Sequence, residues 1–188
     1  MRVTTRLKNS SEQFGWISIG FHWLVALGAL GLFPLGVYMV DLGYYDPGYQ
    51  WYPDIHRSLG ILLAGLLFLR LIWKLINPSP RLLVHSTWEK AAAKGGHLLL
   101  YLFLFTVLIS GYLLSTADGR GIQVFNWFTL PALPGLAGRN EELAGWVHWY
   151  AALTLIIFAG LHALAALKHH FVDRNPTLKR MLGIKTEK

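Results

Sequence analysis

The eight histidines are the residues of this 188-residue sequence best suited to chemistry, because imidazole binds metals and exchanges protons near neutral pH. The sequence has no cysteine, which excludes disulfides, thiolate zinc sites, iron–sulfur clusters and covalent haem attachment through Cys-x-x-Cys-His. His148 and His162 are 14 residues apart. On one α-helix that spacing is close to four turns and a rise of about 21 Å, so the two rings share a face at two depths.

Four long apolar segments must position these histidines. We place them at about 15–40, 54–76, 92–115 and 144–169, and each reaches the roughly 20 residues that a helix needs to cross the hydrocarbon core. Hydrophobic residues make up 54% of the chain and charged residues 14%, which excludes a disordered chain, a coiled coil and a typical cytosolic enzyme. The sequence predicts an all-α integral membrane protein, with residues 1–188 forming a single domain of four transmembrane helices.

The distribution of charge predicts the orientation of the chain. Of the 17 lysines and arginines, all but Arg57, Arg120 and Arg139 lie on the side of the two termini. By the positive-inside rule, both termini are cytoplasmic, and the long segment 117–142 is an outer loop. The net charge of +7 therefore reflects topology and contact with anionic lipid, not nucleic-acid binding. The acidic residues of the outer side are Asp41, Asp46, Asp54, Asp118, Glu141 and Glu142.

The four segments arrange the deep histidines in two pairs. His56 lies at the depth of His148, and His22 lies at the depth of His162. Imidazoles from facing helices are common axial ligands of haem iron, whereas zinc would need further ligands that no segment offers. Small residues one turn from His148, and Gly60 one turn from His56, leave room for a porphyrin. Small residues and hydrogen-bonded histidines also serve ordinary helix packing, so that alternative stays open.

Further polar residues lie near the inner layer. Arg70 is 14 residues after His56 on the same helical face, where it would meet a haem propionate or a quinone head group, or extend to the inner interface. Large neighbours crowd His97, which argues against its being an axial ligand. His97, His169 and His170 lie where a quinone that exchanges protons with the cytoplasm would bind. His169 and His170 also suit a helix C-terminus, where positive charge is favoured.

These residues occur in motifs that resemble those of the bacterial cytochrome b561 family. The similarity covers nearly the whole chain and includes a motif on each predicted helix. The matching segments are Phe21-His22-Trp23-Leu24, His56-Arg57-Ser58-Leu59-Gly60, Gly96-His97, Ser110-Gly111-Tyr112, Trp146-Val147-His148, Leu161-His162-Ala163, 166–171 and 177–182.

The resemblance implies a multi-pass protein of the bacterial inner membrane with two non-covalent haem b groups, each held by two histidines. It also implies electron exchange with the quinone pool, through ubiquinone or menaquinone, and with a periplasmic donor or acceptor. The residues expected at the haems are His22, His56, His148 and His162 as ligands, with Arg57, Gly60 and Arg70 beside them.

Several functions remain open at this level. The first is a di-haem electron carrier, and the second is a membrane anchor for a partner redox enzyme, as in the related hydrogenase cytochrome subunits. A third is a superoxide:quinone oxidoreductase, since superoxide oxidases belong to the family, although the net negative outer side would repel that anion. A transporter is opposed by the lack of an inverted repeat and of helices broken by proline. Whether the chain turns over a substrate of its own stays open.

Overall fold

A computed structural model describes residues 7–81, 83, 86–135 and 141–184. Arg139 and the remaining histidine, His85, lie outside these described residues. The elements of the described part are, in order, helices α1 (Trp16–Val40), α2 (Trp51–Ile76) and α3 (Thr87–Ser115), strands β1 (Ile122–Val124) and β2 (Phe128–Leu130), and helices α4 (Glu141–Phe171) and α5 (Thr177–Met181).

Helices α1 to α4 are long and apolar enough to cross a membrane, with mean hydropathy between 1.9 and 2.2 over their most apolar windows. The prediction of four transmembrane helices is therefore confirmed. Helices α2, α3 and α4 begin earlier than the predicted segments. Each has an acidic residue in its first turn, such as Glu89 in α3 and Glu141 in α4. A carboxylate there stabilises the helix N-terminus but lowers the local hydropathy, so an apolar pattern does not reveal the first turn.

Helix α1 contains Pro34 and continues through it as one helix. Proline has no backbone N–H, so the Leu30 carbonyl loses its usual helical partner at that position. The expectation that proline breaks no transmembrane helix holds for α1.

The outward surfaces of the long helices are apolar. Leu27, Leu30, Leu98 and Leu164 are each more than half exposed. Apolar surface of this extent is unfavourable in water and favourable against lipid chains. The exposure pattern thus fits helices that are surrounded by lipid.

The chain forms two compact units, and each of α1 to α4 contributes residues to both. The first unit comprises Met1–Ala26, Leu66–Leu99 and Ile157–Lys188, and the second comprises Leu27–Gly65 and Leu100–Ile156. Each predicted histidine pair falls within a single unit. The first unit holds His22, Arg70, His97, His162, His169 and His170, and the second holds His56, Arg57, Gly60 and His148.

The C-terminal segment makes contacts within the first unit through residues 180–183. The Trp23 indole donates a hydrogen bond to the Met181 carbonyl at 2.8 Å, and the Arg180 guanidinium donates to the Arg81 carbonyl at 3.0 Å. Gly183 has φ +72°, and a Cβ at this position would lie 2.6 Å from the Trp16 ring. Only glycine combines that backbone conformation with so close an approach. These contacts hold α5, a helix that the sequence analysis did not predict.

A β-hairpin lies in the second unit, within the predicted outer loop. Strand β1 pairs antiparallel with β2, with Ile122 opposite Leu130. The two turn residues, Phe125 and Asn126, have φ of 44° and 63°. Positive φ at both positions is characteristic of a type I′ turn, which usually has Asn-Gly or Asp-Gly. The sequence lacks that dipeptide here, which is why its pattern indicated only a loop.

Candidate functional site

Helices α2 and α4 bring His56 and His148 together in the second unit. Their ring centroids are 6.2 Å apart and the rings are inclined by 82°. Both rings line a cavity of about 340 Å³. Arg57 and Gly60 line the same cavity. We refer to His56 and His148 as the outer pair, after the predicted topology.

The orientation of His148 is set by helix α3. Its Nδ1 lies 2.9 Å from the Val107 carbonyl oxygen and 3.4 Å from the Ser110 hydroxyl. Because a carbonyl only accepts, the ring donates from Nδ1 and keeps its lone pair on Nε2. Hydrogen bonds of this kind orient imidazoles that bind metals. The approach depends on Gly111, where a Cβ would lie 2.8 Å from His148 Cε1.

His56 is similarly confined by helix α1. A Cβ on Gly36 would lie 3.1 Å from His56 Cε1. The Leu32 carbonyl approaches the His56 ring, yet Nδ1 is buried and makes no hydrogen bond of standard geometry to the described part of the chain. Each ring of the outer pair therefore has a nitrogen that no described protein group uses.

The first unit contains a second cluster, formed by His22, His97 and His162, with Arg70 beside it. The centroids of His22 and His162 are 6.4 Å apart with the rings inclined by 59°, and those of His97 and His162 are 5.2 Å apart in a T-shaped contact. Arg70 Nη2 lies 3.2 Å from His22 Nδ1. A guanidinium only donates, so His22 Nδ1 accepts here and the neutral ring carries its proton on Nε2. We call His22 and His162 the inner pair.

The spacing of both pairs suits one metal ion between two rings. An imidazole nitrogen binds a metal at about 2 Å and lies roughly 1 Å from the ring centre, so two rings on opposite sides of one ion have centroids about 6 Å apart. The outer pair at 6.2 Å and the inner pair at 6.4 Å match this value. The 5.2 Å between His97 and His162 is too short and corresponds to an aromatic edge contact. Two imidazoles without thiolate form a donor set that fits haem iron.

The structure places His169 in a separate charged cluster of the first unit. His169 Nδ1 lies 2.6 Å from Asp173 Oδ2, and Lys168 Nζ lies 2.7 Å from the same oxygen and 3.6 Å from Glu89. Glu89, His169 and Asp173 are residues of types that bind metals, and their ligand atoms lie within 4.8 Å of one another. The Lys168 ammonium pairs with both carboxylates, and its hydrogen bond lowers the pKa of Asp173. These contacts form an ion-pair network among the described residues.

The other candidate quinone residues are placed differently. His170 packs against Phe171, with ring centroids 4.8 Å apart. His97 belongs to the cluster of the inner pair, not to the cluster around His169. The three residues thus share one unit but occupy three different environments.

Charged side chains flank the cavity of the outer pair. Arg57 pairs with Asp54 at 2.5 Å, and Arg120 pairs with Asp118 at 2.6 Å. Asp118 and Glu141 line the cavity with Arg57. The backbone N–H of Arg120 is the main cause that lowers the pKa of Asp118, so this carboxylate stays ionised at neutral pH. Both arginines are thus neutralised by neighbouring carboxylates.

Residues 13–183 match the family described as prokaryotic cytochrome b561. The chain belongs to this family. It is accordingly a multi-pass protein of the bacterial inner membrane from a family of haem b proteins that transfer electrons across membranes. The family resemblance drawn from the histidine motifs is confirmed.

Similar proteins cover nearly the whole of this cytochrome b561. "Cytochrome b561 homolog 2" of Escherichia coli (strain K12) is 48% identical over 176 residues, which is 93% of this chain and 94% of that protein. "Probable superoxide oxidase CybB" of Yersinia pestis is 30% identical over 177 residues, 91% of this chain and 96% of that protein. "Cytochrome b561 homolog 1" of Escherichia coli (strain K12) is 24% identical over 175 residues, covering 91% and 97%.

Sequence reasoning missed the residues that support the outer pair. Gly36 and Gly111 sit against the two imidazoles, and the Val107 carbonyl accepts from one of them. Gly111 lies in the Ser110-Gly111-Tyr112 motif, but nothing in the motif shows which histidine it faces. Every residue has a backbone carbonyl, so residue type could not indicate that the Val107 carbonyl contacts His148.

Proposed function

We propose that this cytochrome b561 carries two haem b groups, one at the outer pair and one at the inner pair, and transfers electrons between the quinone pool and a periplasmic donor or acceptor. The observation that carries the proposal is the ring separation of 6.2 Å and 6.4 Å at two histidine pairs. When bound, each haem supplies one-electron exchange at iron, while the protein supplies the ligands and the surroundings that tune the potential.

The side chains around the two pairs have different tasks in this proposal. The Val107 carbonyl holds His148 with Nε2 available for iron. Arg70 donates to His22 Nδ1 here, so His22 would hold the inner haem through Nε2 only with its own proton on Nδ1 and with Arg70 turned to another acceptor. A haem propionate would give Arg70 a charged acceptor in exchange. Arg57 and Gly60 line the cavity of the outer pair and would border the haem there.

We further propose that a quinone, either ubiquinone or menaquinone, binds in the first unit near His97, His169 and His170. His169 donates from Nδ1 to the Asp173 carboxylate, which leaves Nε2 to accept a hydrogen bond from a quinol hydroxyl. An imidazole in this arrangement can give or take the proton that accompanies quinone chemistry.

The haem content and quinone reactivity of the purified protein test this function. We expect low-spin b-type bands in the reduced-minus-oxidised spectrum, about two haems per chain by pyridine haemochrome, and reduction by short-chain ubiquinol or menaquinol. His169→Ala should slow reduction by quinol and leave reduction by dithionite unchanged, so that the dithionite reaction serves as the control. Folded protein without haem, or haem that neither quinol reduces, would contradict the proposal.

Superoxide is a second candidate for the outer donor, because the Yersinia pestis relative is named as a probable superoxide oxidase. The neutralised arginines at the outer cavity weigh against a site that attracts anions. If the face repels superoxide, the rate of haem reduction by enzymatically generated superoxide should be low and should rise with ionic strength. A fast rate that falls with salt would instead support the superoxide reaction.

Replacing His97 distinguishes the two possible partners of His162. We expect His97→Ala to keep about two haems per chain, because its ring lies too close to His162 to share an iron with it. His22→Ala should lose the inner haem. Pyridine haemochrome and the low-spin signals in electron paramagnetic resonance measure both results. If His97→Ala lost one haem and His22→Ala kept both, His97 and not His22 would be the partner of His162 at the inner haem.

A further inference from the structure

We propose that Ser58 is a positioning residue for the outer pair, because it fastens the β1–β2 hairpin as a wall of the cavity that holds His56 and His148. The predicted effects on haem rest on the proposed function. The fastening of the hairpin does not depend on haem and can be measured separately.

Ser58 joins the helix that carries His56 to the turn of the hairpin. It lies two residues after His56 on α2 and is only 2% exposed. Its hydroxyl lies 3.3 Å from the Gln123 carbonyl and 3.3 Å from the Phe125 amide. A hydroxyl has one donor and can accept as well, so Ser58 donates to the carbonyl and accepts from the amide. This one buried side chain thereby bonds two backbone groups of the hairpin, one in β1 and one in the turn.

The turn itself has an unfavourable backbone. Phe125 has φ 44°, a conformation in which a residue with a bulky side chain is rare. A backbone bond closes the turn at its tip, from the Trp127 amide to the Val124 carbonyl at 2.8 Å. Strained conformations of this kind persist when surrounding contacts hold them. The bonds from Ser58 provide such contacts.

The inward face of the hairpin forms part of the outer cavity. Ile122 lines the cavity with both histidines and is 5% exposed, and Val124 is fully buried. A second fastening lies where the chain leaves β2, since the Tyr112 hydroxyl donates to the Pro131 carbonyl at 2.7 Å. The hairpin is therefore tied to α2 through its turn and to α3 through its exit.

A wall at this place controls contact of the outer pair with water. Solvent exposure is one of the means by which a protein sets the potential of a haem. Water stabilises the more highly charged oxidised form, so release of the hairpin should lower the potential of the outer haem. It should also admit hydrophilic oxidants.

The test compares Ser58→Ala with the unmodified protein, both as full chains. Loss of the hydroxyl removes the partner of the Gln123 carbonyl and of the Phe125 amide, so hydrogen–deuterium exchange of residues 122–130 should become about tenfold faster, which corresponds to about 1.4 kcal/mol. A redox titration should show a lower potential for the outer haem and an unchanged inner one. Reoxidation of the outer haem by ferricyanide should accelerate. The proposal is overturned if hydrogen–deuterium exchange of residues 122–130 does not change. It is also overturned if that exchange becomes faster while the potential of the outer haem and its rate of reoxidation stay the same.

A matched serine in the first unit provides the control. Ser18 accepts a hydrogen bond from the Trp73 indole at 2.9 Å, so Ser18→Ala removes the same group elsewhere and should leave the outer readouts unchanged. If Ser58→Ala does not fold, Tyr112→Phe removes the second fastening and should shift the same readouts in the same direction. Unchanged readouts in Tyr112→Phe then overturn the proposal. Haem-free but folded unmodified protein would contradict the proposed function, while the exchange rates would still test the fastening.

Discussion

Replacement of His148 with alanine is expected to reduce the haem content from about two per chain to about one. Its ring opposes His56 across 6.2 Å, and both rings line one cavity. A single remaining imidazole holds a non-covalent haem weakly, and any haem that stays at this site should become high-spin. Pyridine haemochrome and the reduced-minus-oxidised spectrum measure the loss.

The corresponding change in the inner pair makes the result specific. His162→Ala should remove the other haem, so that the two variants retain haems with different potentials, and the double variant should retain none. His170→Ala is the matched control, because its ring packs on Phe171 and belongs to neither pair. If both single variants kept the full haem content and an unaltered spectrum, the assignment of the two pairs would be wrong.

Gly111→Ala should disturb the outer haem nearly as strongly, although the change adds a single methyl group. The new Cβ would lie 2.8 Å from His148 Cε1 and 3.0 Å from Nδ1. Real Cβ contacts are longer than this, so the imidazole must move away from α3 and from the Val107 carbonyl that orients it. We expect loss of the outer haem or its conversion to a high-spin form, seen by optical and paramagnetic resonance spectra.

Alanine substitutions at two other glycines of the same unit should have smaller effects on the haem. Gly36→Ala should have a milder effect, because its Cβ would lie 3.1 Å from His56 Cε1. Gly65→Ala meets nothing within 4 Å and should leave the haem spectrum unchanged. If Gly111→Ala and Gly65→Ala gave the same spectrum, steric support of His148 by α3 would be excluded as a factor.

The four transmembrane helices and the histidine spacing could be predicted because both depend on local properties. Hydropathy over about 20 residues indicates a membrane-spanning helix wherever it occurs in a fold. The 14 residues between His148 and His162 correspond to nearly four turns of any α-helix. The same periodicity put Arg70 at the layer of the inner pair, where the structure finds it beside His22.

The hairpin illustrates a feature that local patterns could not supply. Its turn has Phe125 and Asn126 in place of the residues that usually adopt positive φ. Bonds from Ser58, more than sixty positions earlier in the chain, support that turn. Such a contact depends on two distant segments meeting, and neither segment records it in its own composition.

The sequence by itself determined the number of spanning helices, the two depths of the histidines and the family, since periodicity, hydropathy and residue type are properties of the chain alone. Only the tertiary structure decided which groups touch each ring: the Val107 carbonyl at His148, the Arg70 guanidinium at His22, and the His97 ring against His162. These contacts form between helices, and the way two helices align against each other cannot be read from the sequence of either helix alone. At His148 such a contact selects the proton position of the imidazole, and with it the nitrogen that is left for a metal.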